Sequence, residues 1–106
     1  MAYPRPDRAE PTGAFTERVV AIVGATTPGE LVTYGEVAAE AGRPQAARAV
    51  GQILAHHAEL PWWRVISASG RLVPGNEARH RALLQAEGVA CTGKFVARTH
   101  LSRPRT

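Results

Sequence analysis

Few side chains in this sequence are able to do chemistry. Cys91 is the single cysteine and so the only thiol nucleophile, and His56, His57 and His80 are histidines that could join it around a metal. Adjacent histidines at a helix end are ordinarily solvent-facing or capping groups, so a metal centre is not the expectation. No P-loop, Rossmann glycine pattern, zinc-spaced cysteine pair or nucleophile elbow is present, and no cofactor is implied. The distinctive segment is "PWWRV", residues 61 to 65, which holds both tryptophans of the chain side by side. Tryptophans serving only a core would be spread over helix or strand faces, so packing alone does not explain the pair.

Charge narrows the possible partners. Thirteen basic residues stand against nine acidic ones, for a net charge of +4 and a pI near 10.2, and twelve of the thirteen are arginine. Arginine binds phosphate bidentately and stacks on bases, so a basic domain of this size suits a polyanion. Arg5, Arg8, Arg103 and Arg105 fall in expected tails. With 106 residues, 44% of them hydrophobic, one compact core is the default. A lone cysteine fits a reducing compartment. No apolar run approaches the roughly 18 to 20 residues of a membrane span, and the start lacks a signal-like apolar segment. The expectation is a soluble cytoplasmic protein, nucleoid-associated, monomeric and without a membrane partner.

These residues must be positioned by short elements. Residues 1 to 12 read as a disordered tail, 13 to 98 as one domain and 99 to 106 as a basic tail. Phe15, Val19, Ile22 and Val23 recur at helical spacing. Thr33 and Glu36 form the pattern of a capping box, predicting a helix over 34 to 41 that stops at Gly42. A third helix is expected from "RPQAARAVGQILAHH", with Pro44 in its first turn and Gln45, Arg48, Gln52 and His56 on its polar face. "ISASGRLV" reads as a small wing-like hairpin about a Ser-Gly turn. Asn76 is the expected N-cap of a last helix with Leu83 and Leu84 buried and Gly88 at its stop, followed by one short strand near Phe95 and Val96. The fold class predicted is mainly α: a winged helix-turn-helix-like DNA-binding domain with a small β-hairpin.

Taken in order, "TYGEVAAEAGRPQAARAVGQIL", "PWWRVISASGRL" and "RALLQAEGV" resemble the DNA-binding domain of the O6-alkylguanine-DNA alkyltransferases over residues 14 to 90. In the active enzymes the loop reads Pro-Cys-His-Arg-Val; the Cys thiolate takes the alkyl group, and a His held by a Glu assists. Here Trp62 stands in place of that Cys and Trp63 in place of that His. An indole cannot replace a thiolate at neutral pH, so no alkyl transfer is expected at this position. Tryptophan there is the mark of the alkyltransferase-like proteins. The resemblance to them implies binding of double-stranded DNA containing O6-alkylguanine without repair, and presentation of the lesion to nucleotide excision repair proteins.

The resemblance also implies roles for single residues. Tyr34 would press on the phosphate 3' to the target nucleotide, and Arg48 would enter the duplex and fill the gap left by the flipped base. Thr33, Gln45, Ala47, Gly51 and Gln52 would join them at the DNA, in the minor groove. The lesion pocket would be formed by Tyr34, Trp62, Arg64, Val65 and Gly75. Trp63 is expected to pack inward with its N–H toward Glu87 or a backbone carbonyl. "VPGNEA" lacks the Tyr-Ser-Gly-Gly run of the enzymes, which predicts a roomier pocket tolerant of groups larger than methyl. His57 falls about where the enzymes have a hinge Asn. Two alternatives remain at this point: a helix-turn-helix transcription regulator, or an active transferase using Cys91.

Overall fold

The computed structural model describes residues 12–97; the expected tails, apart from Thr12, lie outside the described residues. The first helix, α1 (Thr12–Gly24), starts ahead of its apolar stripe and turns Phe15, Val19 and Val23 inward. β1 (Val32–Thr33) leads directly into α2 (Tyr34–Glu40). Thr33 caps α2: its hydroxyl accepts from the Glu36 N–H at 3.0 Å while the Glu36 carboxylate accepts from the Thr33 N–H at 2.8 Å. At the other end, the Gly42 N–H reaches the Ala39 carbonyl at 3.0 Å and the Arg43 N–H reaches that of Ala38 at 2.9 Å. This Schellman pairing needs a left-handed residue, and Gly42 supplies it with φ 93°.

α3 (Ala47–Ala55) completes the helix pair but begins later than the sequence suggests. Pro44 and Gln45 lie in the connecting turn, closed by the Ala46 N–H on the Arg43 carbonyl at 2.9 Å. The Schellman ending of α2 consumes residues 42 and 43, so the chain must still turn before a new helix can start.

A 3₁₀ turn (Trp62–Arg64) feeds β2 (Val65–Ile66), which pairs in parallel with β1 through Val32 with Val65 and Thr33 with Ile66. Successive strand residues face opposite ways, and here they serve two different cores. Val32 and Val65 join the helical cluster with Phe15, Val19, Val37 and Val50, whereas Leu31 and Ile66 join a smaller one with Leu72, Leu84, Val89 and Val96. The short sheet is thus a septum between two apolar clusters.

The second cluster is built by α4 (Glu77–Ala86) and a hairpin of β3 (Cys91–Thr92) and β4 (Phe95–Val96). α4 also ends in a Schellman motif: the Val89 N–H reaches Leu84 O at 3.0 Å and the Gly88 N–H reaches Gln85 O at 3.0 Å, with Leu84 and Val89 both buried. Leu83 is only half-buried, and the Asn76 side chain does not cap α4. The expected hairpin across residues 66 to 73 does not form. A turn at Ser67–Gly70 exists, but Arg71 bridges Phe95, and the Leu72 N–H donates to the Lys94 carbonyl at 2.8 Å. Ile66 is already paired with Thr33, and Leu72 is drawn under the second cluster beside Val96. The strand expected near Phe95 and Val96 forms, paired with β3 and bridged by Arg71.

Candidate functional site

In the 3₁₀ turn successive side chains diverge by about 120°, and the two tryptophans take different surroundings. Trp62 stays half-buried against the helical cluster, its ring 5.9 Å from that of Trp63 in an edge-on arrangement and 5.1 Å from that of His80. Trp63 turns into the second cluster and donates its Nε1–H to Glu87 Oε2 at 2.9 Å, as expected from the sequence.

Glu87 gathers four donors at the C-cap of α4, where the helix dipole alone would disfavour a carboxylate. Arg64 reaches it with Nε at 3.0 Å and Nη2 at 2.7 Å, and the Gly29 N–H adds a bond of 3.0 Å to that of Trp63. The hydrogen bonds from Arg64, opposed by burial and joined by those of Gly29 and Trp63, hold the Glu87 carboxyl at about 2. Arg64 turns Nη1 to Thr26, donating to its carbonyl at 2.7 Å and to its hydroxyl at 3.2 Å. One buried ion pair therefore ties the end of α1, the tryptophan turn and the end of α4 together.

His80, fully buried, makes a second tie. The Val73 N–H donates to His80 Nδ1 at 3.1 Å, so the proton of the neutral ring sits on Nε2, which donates to the Trp63 carbonyl at 2.9 Å. Burial pushes its pKa down, and the Trp63 bond offsets part of that. His56 and His57 are capping groups: their Nδ1–H bonds go to the carbonyls of Gln52 at 2.9 Å and Ile53 at 2.8 Å near the end of α3. Among the described residues no cluster of three or more His, Cys, Asp or Glu side chains could hold a metal.

A cavity of about 430 Å³ opens between α3, the tryptophan turn and the start of α4. Its volume lies in the range of roughly 300 to 1,000 Å³ common to sites for small ligands. Tyr34, Gly51, Leu54, Ala55 and Ala58 form one wall, and Trp62, Val73, Asn76 and Arg79 the other. Burial pushes the Tyr34 phenol up, so it is a neutral hydroxyl near pH 7. A flat apolar ring would meet Trp62 face or edge in this space, with the polar groups of Tyr34, Asn76 and Arg79 at its margin.

Three of the residues singled out in the sequence, Tyr34, Gly51 and Trp62, come together here. Two others do not: Arg64 is buried on Glu87 and Val65 lies fully inside the helical cluster, so neither lines the cavity. The bidentate carboxylate and the septum strand claim those side chains. Gly75 also stands outside the lining, its place taken by the next residue, Asn76. Arg48 and Gln52 share an exposed face of α3 with Ala55, and Arg48 hydrogen-bonds to no other described residue. Ala47 is half-buried at the first turn of α3, Gln45 sits in the preceding turn rather than on the helix, and the Thr33 hydroxyl is engaged in capping.

Cys91 lies in β3 opposite Val96, packed on the second cluster and absent from the cavity lining. Burial pushes its thiol up, with Arg81 opposing, the reverse of what an activated nucleophile needs. Sequence reasoning did not find Leu54, Ala55, Ala58, Val73, Asn76 and Arg79. For the first three a signal existed: from Gly51, positions 54, 55 and 58 continue one helical face. Nothing local marks Val73 or Arg79.

The helix pair, the β3–β4 hairpin bridged by Arg71 and an aromatic-walled cavity beside an arginine-bearing helix define a DNA-binding domain of the winged helix-turn-helix-like class. Residues 14–89 match the family described as the 6-O-methylguanine DNA methyltransferase DNA-binding domain, and the chain belongs to that family. The DNA base-flipping protein of Escherichia coli (strain K12) is 41% identical over 95 residues, 85% of this chain and 74% of that one. A methylated-DNA–protein-cysteine methyltransferase of Mycobacterium bovis is 42% identical over 78 residues, spanning 69% of this chain and 47% of the enzyme. Among solved structures, S. pombe Atl1 in complex with damaged DNA containing O6-carboxymethylguanine superposes with a TM-score of 0.76 at 29% identity, covering 89% of this chain and 99% of Atl1.

Proposed function

We propose that this protein is a non-catalytic sensor that binds O6-alkylguanine in duplex DNA, receives the flipped base in the Trp62 cavity and leaves the alkyl group in place. The observation that carries it is the pairing of a base-sized cavity walled by Trp62 with the absence from its lining of Cys91, the one thiol of the chain, which sits in β3. Transfer needs an activated thiolate at the reacting carbon, and none of the nine lining residues is a cysteine. The exposed face of α3 supplies the rest: Arg48 is long and planar enough to fill the gap left in the stack, and Gly51 lets a backbone approach closely. Tyr34, at the cavity edge beside Gly51, would press on the strand. Minor-groove docking, where readout is degenerate, suits a search for damage in any sequence. The names of the relatives, a base-flipping protein and an Atl1 bound to damaged DNA, support the same role.

The cavity volume favours adducts larger than methyl. A protein that binds the lesion but leaves it in place must hand it on, so the bound complex would mark the site for nucleotide excision repair proteins. It would act as a monomer, in the cytoplasm on the nucleoid. The test is a titration with short duplexes differing in one guanine, unmodified or O6-methylated, followed by mass spectrometry of the protein. Tighter binding to the modified duplex at unchanged protein mass is expected. A gain of one methyl group would establish a transferase, and equal affinity for both duplexes would favour a sequence-reading regulator.

A further inference from the structure

We propose that Arg79 makes the cavity selective for O6-adducts that end in an anionic group, a carboxylate above all. The inference rests on the proposed function and adds the class of lesion. The cavity holds a single charged lining residue, Arg79, and no acidic one. Arg79 lies in the first turn of α4, exposed, with no hydrogen bond or ion pair to another described residue. The nearest acid along its helix, Glu77, is committed elsewhere: it receives Arg71 Nη1 at 3.2 Å and the Gly75 N–H at 3.1 Å. Arg79 is thus a guanidinium at the margin of an apolar cavity with its donors unspent.

An anionic adduct needs such a group. The phosphates of the duplex repel a second negative charge on the base, and the Trp62 wall offers it no donors. A guanidinium at the mouth supplies two parallel N–H groups matched to a carboxylate. The Asn76 side chain, on the same wall and free of a capping bond, adds a neutral donor. A methyl or ethyl group would gain nothing from either.

The competing role for Arg79 is a phosphate contact, and the experiment separates the two. Four duplexes are titrated, carrying guanine, O6-methylguanine, O6-carboxymethylguanine or its neutral, nearly isosteric amide. The native protein should bind the carboxylate about five- to tenfold more tightly than the amide at low salt, the scale of a partly exposed charge-assisted bond. Arg79→Gln should bring that ratio close to one, and Arg79→Lys should restore part of it. A ratio near one in the native protein, or Arg79→Gln weakening all four duplexes equally, overturns the proposal. Native protein that binds none of the three adducts more tightly than guanine overturns the proposed function instead.

Discussion

The two walls of the cavity are held in place by different physics. The wall made by α3 and Tyr34 belongs to a helical layer of Phe15, Val19, Val23, Val37 and Val50, closed by a capping box and a Schellman turn. The wall made by Val73, Asn76 and Arg79 belongs to a half with five buried apolar residues, where Glu87 and His80 do the joining, and Trp62, though it packs on the helical cluster, sits in the turn that those two ties hold. Apolar burial is indifferent to protonation, whereas the polar ties depend on it. The contrast teaches that the Trp62 side of the pocket is the vulnerable one, to substitution and to acid alike.

The largest break should come at Glu87. Glu87→Ala strands the buried Arg64 guanidinium and is expected to cost about 3 to 5 kcal/mol in urea unfolding, the usual penalty for breaking a buried pair. Val37→Ala, in the helical layer, should cost only about 2 kcal/mol through lost burial and a small cavity. Equal losses would dissolve the distinction between the two halves.

Acid should act next, chiefly through the polar half. Glu87 titrates near its ordinary value when unfolded and at about 2 when folded, so the unfolded chain binds the proton first as pH falls. Its contribution is complete above the ordinary carboxylate range and is lost as pH drops toward 2, about 3 kcal/mol in all. His80, its folded pKa pushed down, works in the same direction from below its ordinary value of 6.5. Unfolding free energies measured from pH 7 to pH 3 should therefore fall steadily in the native protein and more shallowly in Glu87→Gln. A parallel slope in that variant would remove Glu87 from the account.

Trp62→Ala comes third. Base stacking on an aromatic ring is worth roughly 1 to 3 kcal/mol, so preference for an O6-methylated duplex should drop about tenfold while affinity for unmodified DNA changes little. Arg48→Ala should instead weaken both duplexes and lower the salt slope by about one.

The smallest effect would sharpen the comparison from the helical side. A Cβ on Gly51 would meet Tyr34 Cε1 at 3.8 Å, an ordinary contact, so Gly51→Ala should stabilise the free protein by up to about 1 kcal/mol. The same methyl group faces the space that DNA would enter, so binding should weaken even as stability rises. Improved stability with unchanged binding would mean that α3 does not approach the backbone at this position.

Much of this molecule is legible because its signals are local. Thr33 with Glu36, Gly42 and Gly88 each act within four or five residues, where hydrogen-bond geometry depends on neighbours in the chain, and all three stand in the structure as expected. Glu87 was readable in part for a related reason: an acid at a helix end needs donors, and Trp63 was the expected one. The remainder was settled by competition between distant partners. Ile66 could pair across the Ser-Gly turn or with Thr33, and the burial of Val65 beside Val32 brought it to Thr33. Arg64 could face the pocket or Glu87, and a bidentate carboxylate outweighed open solvent. By itself the sequence determined the helices, the capping box and glycine stop of α2, the glycine stop of α4 and the tryptophan pair. Only the tertiary structure decided which side chains share the cavity with Trp62, because strand pairing and burial bring residues 34, 62 and 79 together across three separate elements.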